Sequence, residues 1–255
     1  MKVITIANQK GGVGKSTVAI NLYNYCIEKN LKTLFLDFDP QGNSSKSLSS
    51  AYPQFASNIS SFELATSQNS LTPEEKSSLI FTGNAKLVDT QKMSDMLEKN
   101  LQELSSKFDV CVIDTPPTAS YLQIRPLMLS DFVLSPIELH TWSYDGSLPF
   151  LTMLSNLRQL STAKKPKFLG LLPNRVWIQS PKQKADLKRL LEEPNLKKNL
   201  FGNGQFYIPN RHAYIESSST GQAVWSFKDK SSARAEGKNI KNICNHVLKS
   251  MQVEV

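Results

Sequence analysis

Residues 8–17 read Asn-Gln-Lys-Gly-Gly-Val-Gly-Lys-Ser-Thr, three glycines between two lysines with two hydroxyls following. Glycine lets the backbone turn sharply so that successive N–H groups face one point, and a helix N-terminus behind them adds positive potential; together they form a cradle for phosphate. In such a cradle Lys15 neutralises β/γ-phosphate charge and the Ser16 hydroxyl ligates Mg²⁺. Two further stretches supply carboxylates. Residues 33–43 (TLFLDFDPQGN) run apolar and then reach Asp37 and Asp39, which strand alternation puts on one face. Residues 108–117 (FDVCVIDTPP) run apolar to Asp114, suited to hold Mg²⁺ through water or through Ser16. Each motif alone has a plainer reading, as a glycine-rich turn with two solvated lysines or as an Asp capping the next helix. Their succession along one chain favours phosphate chemistry.

These residues have to sit at strand ends, and the apolar pattern provides strands. Residues 2–7 (KVITIA) form a short β-branched run, whereas Val18, Ala19, Leu22 and Cys26 recur at helical spacing. Extending this reading predicts strand 2–7, helix 16–29, strand 33–38, strand 86–89, helix 92–106, strand 109–114, strand 131–136, helix 145–160, strand 167–172, helix 180–192, strand 205–208 and helix 231–250. Strands alternating with helices imply an α/β fold, a mainly parallel twisted sheet with helices on both faces. Ligand chemistry then falls at the carboxyl ends of the strands, where the three motifs lie. Residues 43–85, Ser-rich and then carrying Pro73-Glu74-Glu75, are expected to form a helical excursion.

With 255 residues, 40% of them hydrophobic, the chain can bury a substantial core as a single domain over residues 1–255. It has no internal repeat, no apolar run of ~20 residues and no signal peptide, so a cytoplasmic protein without membrane attachment is expected. Cys26, Cys111 and Cys244 are far apart in apolar surroundings and read as reduced core residues. Charge is uneven: residues 1–163 hold 13 Lys+Arg against 15 Asp+Glu, net −2, and residues 164–255 hold 17 against 7, net +10. That asymmetry suggests a polyanion, most simply DNA gripped through its phosphates without sequence readout. Lys182, Lys184, Lys188 and Arg189 recur along the predicted helix 180–192, followed by Lys197 and Lys198; a solvated lysine-rich face is the alternative.

The pattern G-x-x-x-x-G-K-[ST] requires glycine at position 9, where this chain has Gln9. Lys10-Gly11-Gly12-Val13-Gly14-Lys15-Ser16-Thr17 instead resembles the deviant Walker A loop of the ParA/MinD family of ATPases, and its nearest form is the ParA/Soj-type partition ATPase. Asp37-Phe38-Asp39-Pro40-Gln41-Gly42-Asn43 resembles that family's Walker A′ element, and the strand ending at Asp114 its Walker B element. Residues 208–224 (IPNRHAYIESSSTGQAV) resemble its late segment, with a short helix carrying Glu216 and ending at Gly221, although Ser217-Ser218 stand where members often have Ala-Pro. The resemblance implies a P-loop NTPase-like fold that binds ATP and Mg²⁺ over residues 10–17. Asp39 would orient the attacking water, Asp37 would lie near metal and loop, and Ser16, Asp39 and Asp114 would surround the metal. Asn174, Arg175, Pro209 and Asn210 fall where the family cradles adenine, for which ordinary turn chemistry is the alternative; Arg211 and Arg234 fall near the basic surface.

By the same resemblance, ATP drives a face-to-face homodimer in which Lys10 of each subunit reaches the phosphates of the other, so the catalytic set is Lys10, Lys15 and Asp39. Dimerisation would double the basic surface offered to nucleoid DNA. A ParB-like centromere-binding protein would stimulate an otherwise slow hydrolysis. Ile240, Ile243, Cys244, Val247, Leu248 and Met251 form a stripe expected to pack on the core rather than a membrane-targeting tail. The first strand begins within one residue of the start, which leaves an N-terminal helix-turn-helix domain unexpected. Positioning of another cargo, such as a protein compartment, flagellar, chemoreceptor or cellulose-synthesis machinery, is the alternative within the family. A small-molecule P-loop ligase and a nucleotide-dependent scaffold are alternatives outside it.

Overall fold

The computed structural model describes residues 1–69, 76–87, 94–139, 148–160, 164–227 and 231–254. Seven strands, β1 (Lys2–Ile6), β2 (Thr33–Asp37), β3 (Ala56–Ser60), β4 (Ser78–Thr82), β5 (Val110–Asp114), β6 (Phe132–Glu138) and β7 (Lys167–Asn174), form one sheet. Their order is β3-β4-β2-β5-β1-β6-β7 and every pairing is parallel. The helices are α1 (Lys15–Glu28), α2 (Asn43–Ala51), α3 (Ser61–Thr66), α4 (Ser94–Leu104), α5 (Tyr121–Leu129), α6 (Leu148–Gln159), α7 (Pro181–Glu192), α8 (Pro194–Lys197), α9 (His212–Thr220) and α10 (Ser231–Ser250).

Alternation along the central strands splits the core in two. Ile4, Ile6, Phe35, Val110 and Val112 pack with α1, α9 and α10 on one face, and Val3, Leu34, Leu36, Cys111 and Ile113 pack with α3 and α4 on the other. A strand apolar at every position therefore has use for both of its sides, as a doubly covered parallel sheet demands. The stripe on α10, from Ile240 to Met251, is buried against the first of these faces. All three cysteines are buried and free.

Two predicted strands are corrected. The strand expected at 86–89 is displaced to β4: Lys86 and Leu87 lie in a turn closed by the Leu87 N–H to the Asn84 carbonyl at 3.0 Å, and residues 88 and 89 fall outside the described set. Leu79, Ile80 and Phe81 are the buried apolar run that pairs with β2. The expected helical excursion over 43–85 contains α2 and α3, yet it also adds two strands to the sheet. β3 (ASNIS) carries no apolar run and is an edge strand defined by its pairing to β4. Residues 205–208 make no ladder; they approach the end of β7 through Ile208 N–H to Pro173 O at 2.8 Å and Val176 N–H to Ile208 O at 3.0 Å. Pro209 next to them has no N–H with which to continue a ladder.

Candidate functional site

The glycine loop leaves β1 and enters α1 at the carboxyl edge of the sheet. Its entrance is tied to β6 by Asn8, whose Nδ2 donates to Ser135 Oγ at 3.1 Å and to the Pro136 carbonyl at 3.0 Å. The Asn8 Oδ1 accepts the Lys10 N–H at 2.9 Å. Gly14 adopts φ +93, a conformation that L side chains rarely adopt, and a Cβ there would run into the Asn174 side-chain amide. The same Asn174 amide donates to the Val13 carbonyl at 2.7 Å, which pins the end of β7 against the loop. Asn174 therefore shapes the loop as well as lining the cavity beside it.

Lys15 folds back over the loop, its Nζ donating to the Lys10 carbonyl at 3.2 Å. Burial lowers its pKa, and the negative charges of Asp114 and Asp39 oppose that shift. Asp37 and Asp114 end neighbouring strands at the same level of the ladder. Asp37 accepts from Ser44 Oγ at 2.9 Å, from the Ser45 N–H at 3.0 Å and from the Asp39 N–H at 3.0 Å. These contacts bend the chain after β2, so Asp39 stands beyond the strand and faces the cavity while Asp37 stays buried. Asp114 is fully buried and pushed up to about 7, first by burial and then by Asp37, against the Ser16 and Ser44 hydroxyls and Lys15. Its Oδ1 is buried without a hydrogen-bond partner among the described residues. An orphaned carboxylate oxygen beside a serine hydroxyl is a hard-oxygen set that fits Mg²⁺ or its coordinated water.

Beside this set lies a cavity of about 290 Å³. Of the residues predicted from sequence, Gly12, Gly14, Lys15, Ser16, Thr17, Asp39, Asn174, Arg175, Pro209 and Asn210 line it. Lys10, Gly11, Val13 and Asp114 are not in its wall. Lys10 stands at 3.5 Å from Glu138 Oε2, and Arg175 Nη1 lies 3.0 Å from Glu138 Oε1. Arg211, expected at the basic surface, lines the cavity and approaches Glu236 at 3.5 Å. Lys182, Lys184, Lys188 and Arg189 on α7, Lys197 and Lys198 beside them, and Arg234 on α10 are all exposed.

Sequence reasoning passed over Thr115, Pro117, Tyr214, Ile215 and Ser218, which complete the lining. Thr115 and Pro117 follow Asp114 directly, so their place was available from the motif. Ser217 and Ser218 acquire a reason: Ser218 Oγ meets Thr17 Oγ1 at 2.6 Å and Ser217 Oγ accepts from Asn21 Nδ2 at 2.9 Å. With Asn24 Nδ2 donating to the Gly221 carbonyl at 3.0 Å and the Val224 N–H donating to Asn21 Oδ1 at 3.0 Å, these join α9 to the first helix. Gly221 ends α9 in the left-handed conformation, as its position in the sequence suggested.

A glycine loop running from strand into helix at the carboxyl edge of a parallel sheet, with carboxylates closing the adjacent strands, defines a P-loop nucleotide-binding protein. A family model described as an AAA domain matches residues 1–167. Protein IncC of Escherichia coli is 29% identical over 99% of this chain and 71% of its own length. The chromosome-partitioning ATPase Soj of Treponema pallidum is 34% identical over 64% of this chain and 67% of its own. The structure of a Cyanothece McdA variant in complex with ATP superposes with a TM-score of 0.77 at 20% identity, covering 100% of this chain and 98% of that one. The chain belongs to this AAA-domain family and, within it, to the ParA/Soj-type partition ATPases. Among the described residues no helix is long and apolar enough to cross a membrane.

Proposed function

We propose that residues 1–255 form one ATPase domain that binds ATP with Mg²⁺ and partitions DNA as a nucleotide-switched homodimer. The observation that carries this reading is the cavity itself, where the loop lysine Lys15, the half-buried Asp39 and the ends of β7 converge on one polyphosphate-sized space. Residues 11–17 wrap the phosphates through backbone N–H groups, Lys15 balances their charge, and Arg175, Pro209 and Asn210 close the far side toward the base. Ser16, Asp39 and Asp114 would hold Mg²⁺, whose charge would neutralise the phosphate oxygens. Asp39 orients the water that attacks the γ-phosphate, giving ADP and phosphate. Among the described residues no strong general base stands beside Asp39, so hydrolysis is slow until a ParB-like centromere-binding protein stimulates it. Lys10 reaches the phosphates held by the second copy and stabilises charge there. The dimer presents two basic surfaces to nucleoid DNA in the cytoplasm, and because salt sensitivity grows by about 0.9 log units per phosphate contact, doubling the surface acts as a switch.

Retention of ATP-loaded protein on nonspecific DNA tests this reading. Asp39→Ala should remain on DNA with turnover abolished, and Lys15→Ala should lose ATP-driven dimerisation and retention together. Turnover indifferent to DNA, with a small molecule consumed instead, would overturn it.

A further inference from the structure

Glu138 ends β6 and is paired across the ladder with Asn174 of β7, which lines the cavity. Its side chain is 14% exposed, against 48% for Lys10 and 51% for Arg175, and its two oxygens divide between those cations, Oε2 at 3.5 Å from Lys10 and Oε1 at 3.0 Å from Arg175. The carboxylate is thus the fixed member of the group. The backbone around it is fixed too, because Lys10 is held by the side chain of Asn8, and Asn8 is anchored on β6 two positions before Glu138. Surface ion pairs in general form wherever long side chains happen to meet. Here sheet register and the loop anchor bring the two groups together.

We infer that Glu138 is a positioning residue that retains Lys10 on its own chain and so sets the threshold for handing that lysine to a second copy. An ammonium group within 3.5 Å of its own chain's carboxylate cannot also sit on the phosphates of a partner subunit. The two engagements compete, and the balance decides how much nucleotide is needed before dimers accumulate. This rests on the reading of Lys10 as the lysine that serves the other subunit. It adds a brake to that reading: a chain lacking the carboxylate would dimerise at lower occupancy.

The test is the homodimer dissociation constant of the full chain, measured by sedimentation with Mg²⁺ and a non-hydrolysable ATP analogue, for the parent, Glu138→Gln, Lys10→Ala and the double variant. Glu138→Gln should tighten the dimer about two- to fivefold, the size of a half-exposed ion pair, and the gain should vanish when Lys10 is already alanine. Glu138→Asp, which keeps the charge one methylene farther back, should tighten it by an intermediate factor and serves as the working variant if Glu138→Gln does not fold. Unchanged or weakened dimerisation in both Glu138 variants overturns the proposal, and so does a gain that survives intact in the Lys10→Ala background. Dimerisation of Lys10→Ala equal to the parent sinks the underlying reading of Lys10, an outcome separate from an inert Glu138 in a protein that needs Lys10.

Discussion

Asp37 and Asp114 face each other across one step of the ladder, both out of reach of solvent. Two carboxylates cannot both stay ionised there without compensation. Burial raises Asp114 to about 7, so between about pH 4 and 7 the folded chain keeps a proton that the unfolded chain releases. The stability this group contributes is complete below about pH 4 and is lost as pH rises through 7. Asp114→Asn removes the ionisable group, and at pH 8 without Mg²⁺ or nucleotide it should stabilise the chain by roughly 1–4 kcal/mol. The advantage should close as the pH falls toward 4; melting curves across that range check it, and equal melting temperatures at pH 8 would contradict the burial argument. Residues of this kind were legible because their types are chemically narrow: few explanations fit Gly14, Lys15 and Asp114 in one sequence. Glu138 carried no such signal, since its neighbours Lys10 and Arg175 are far away in sequence and meet it only through strand pairing.

At the scale of elements, α9 is held to α1 by hydroxyls and amides rather than by an apolar stripe. Asn21 is the centre of that seam. It is fully buried, its Nδ2 donates to the Thr17 carbonyl and to Ser217, and its Oδ1 takes the Val224 N–H. Asn21→Ala would leave the Val224 N–H and the Ser217 hydroxyl short of partners, at about 2–3 kcal/mol in all. The expected result is a lower urea midpoint with an unchanged denaturant slope. Whereas α1 is buried at every position from Val18 to Cys26, a helix with a 3.6-residue stripe, such as α10, was readable from sequence because burial of one face writes that period into the residues. β3 was not, since an edge strand of ASNIS has nothing apolar to repeat and exists through its neighbour. The strand expected at 205–208 failed for the converse reason: its local composition suits a strand, but the chain around it offers a single bridge, Val176 to Pro209.

Taken as a whole, the molecule carries its positive charge in residues 164–255, at net +10, and the exposed lysines of α7 lie within that part. If that helix meets DNA phosphates, replacing Lys184 and Lys188 with alanine should reduce the slope of log affinity against log salt by about 2 while leaving nucleotide-driven dimerisation intact. A slope equal to the parent would move the DNA surface elsewhere. Alternation of strands and helices announced a parallel sheet, whereas its order, β3-β4-β2-β5-β1-β6-β7, depends on how crossovers pack and has no signature in the chain. Because every strand points the same way, the protein has one working rim and one idle rim. A residue inserted in the turn after α1, around Asn30, lengthens a surface loop at the idle rim. A residue inserted within β2 or β5 turns every later side chain of that strand to the opposite face, and would part Asp37 from Asp114. Variation can therefore accumulate on one side of this molecule while the other is held to the residue, and a fluorescent tag or an added segment belongs on the side that does no chemistry.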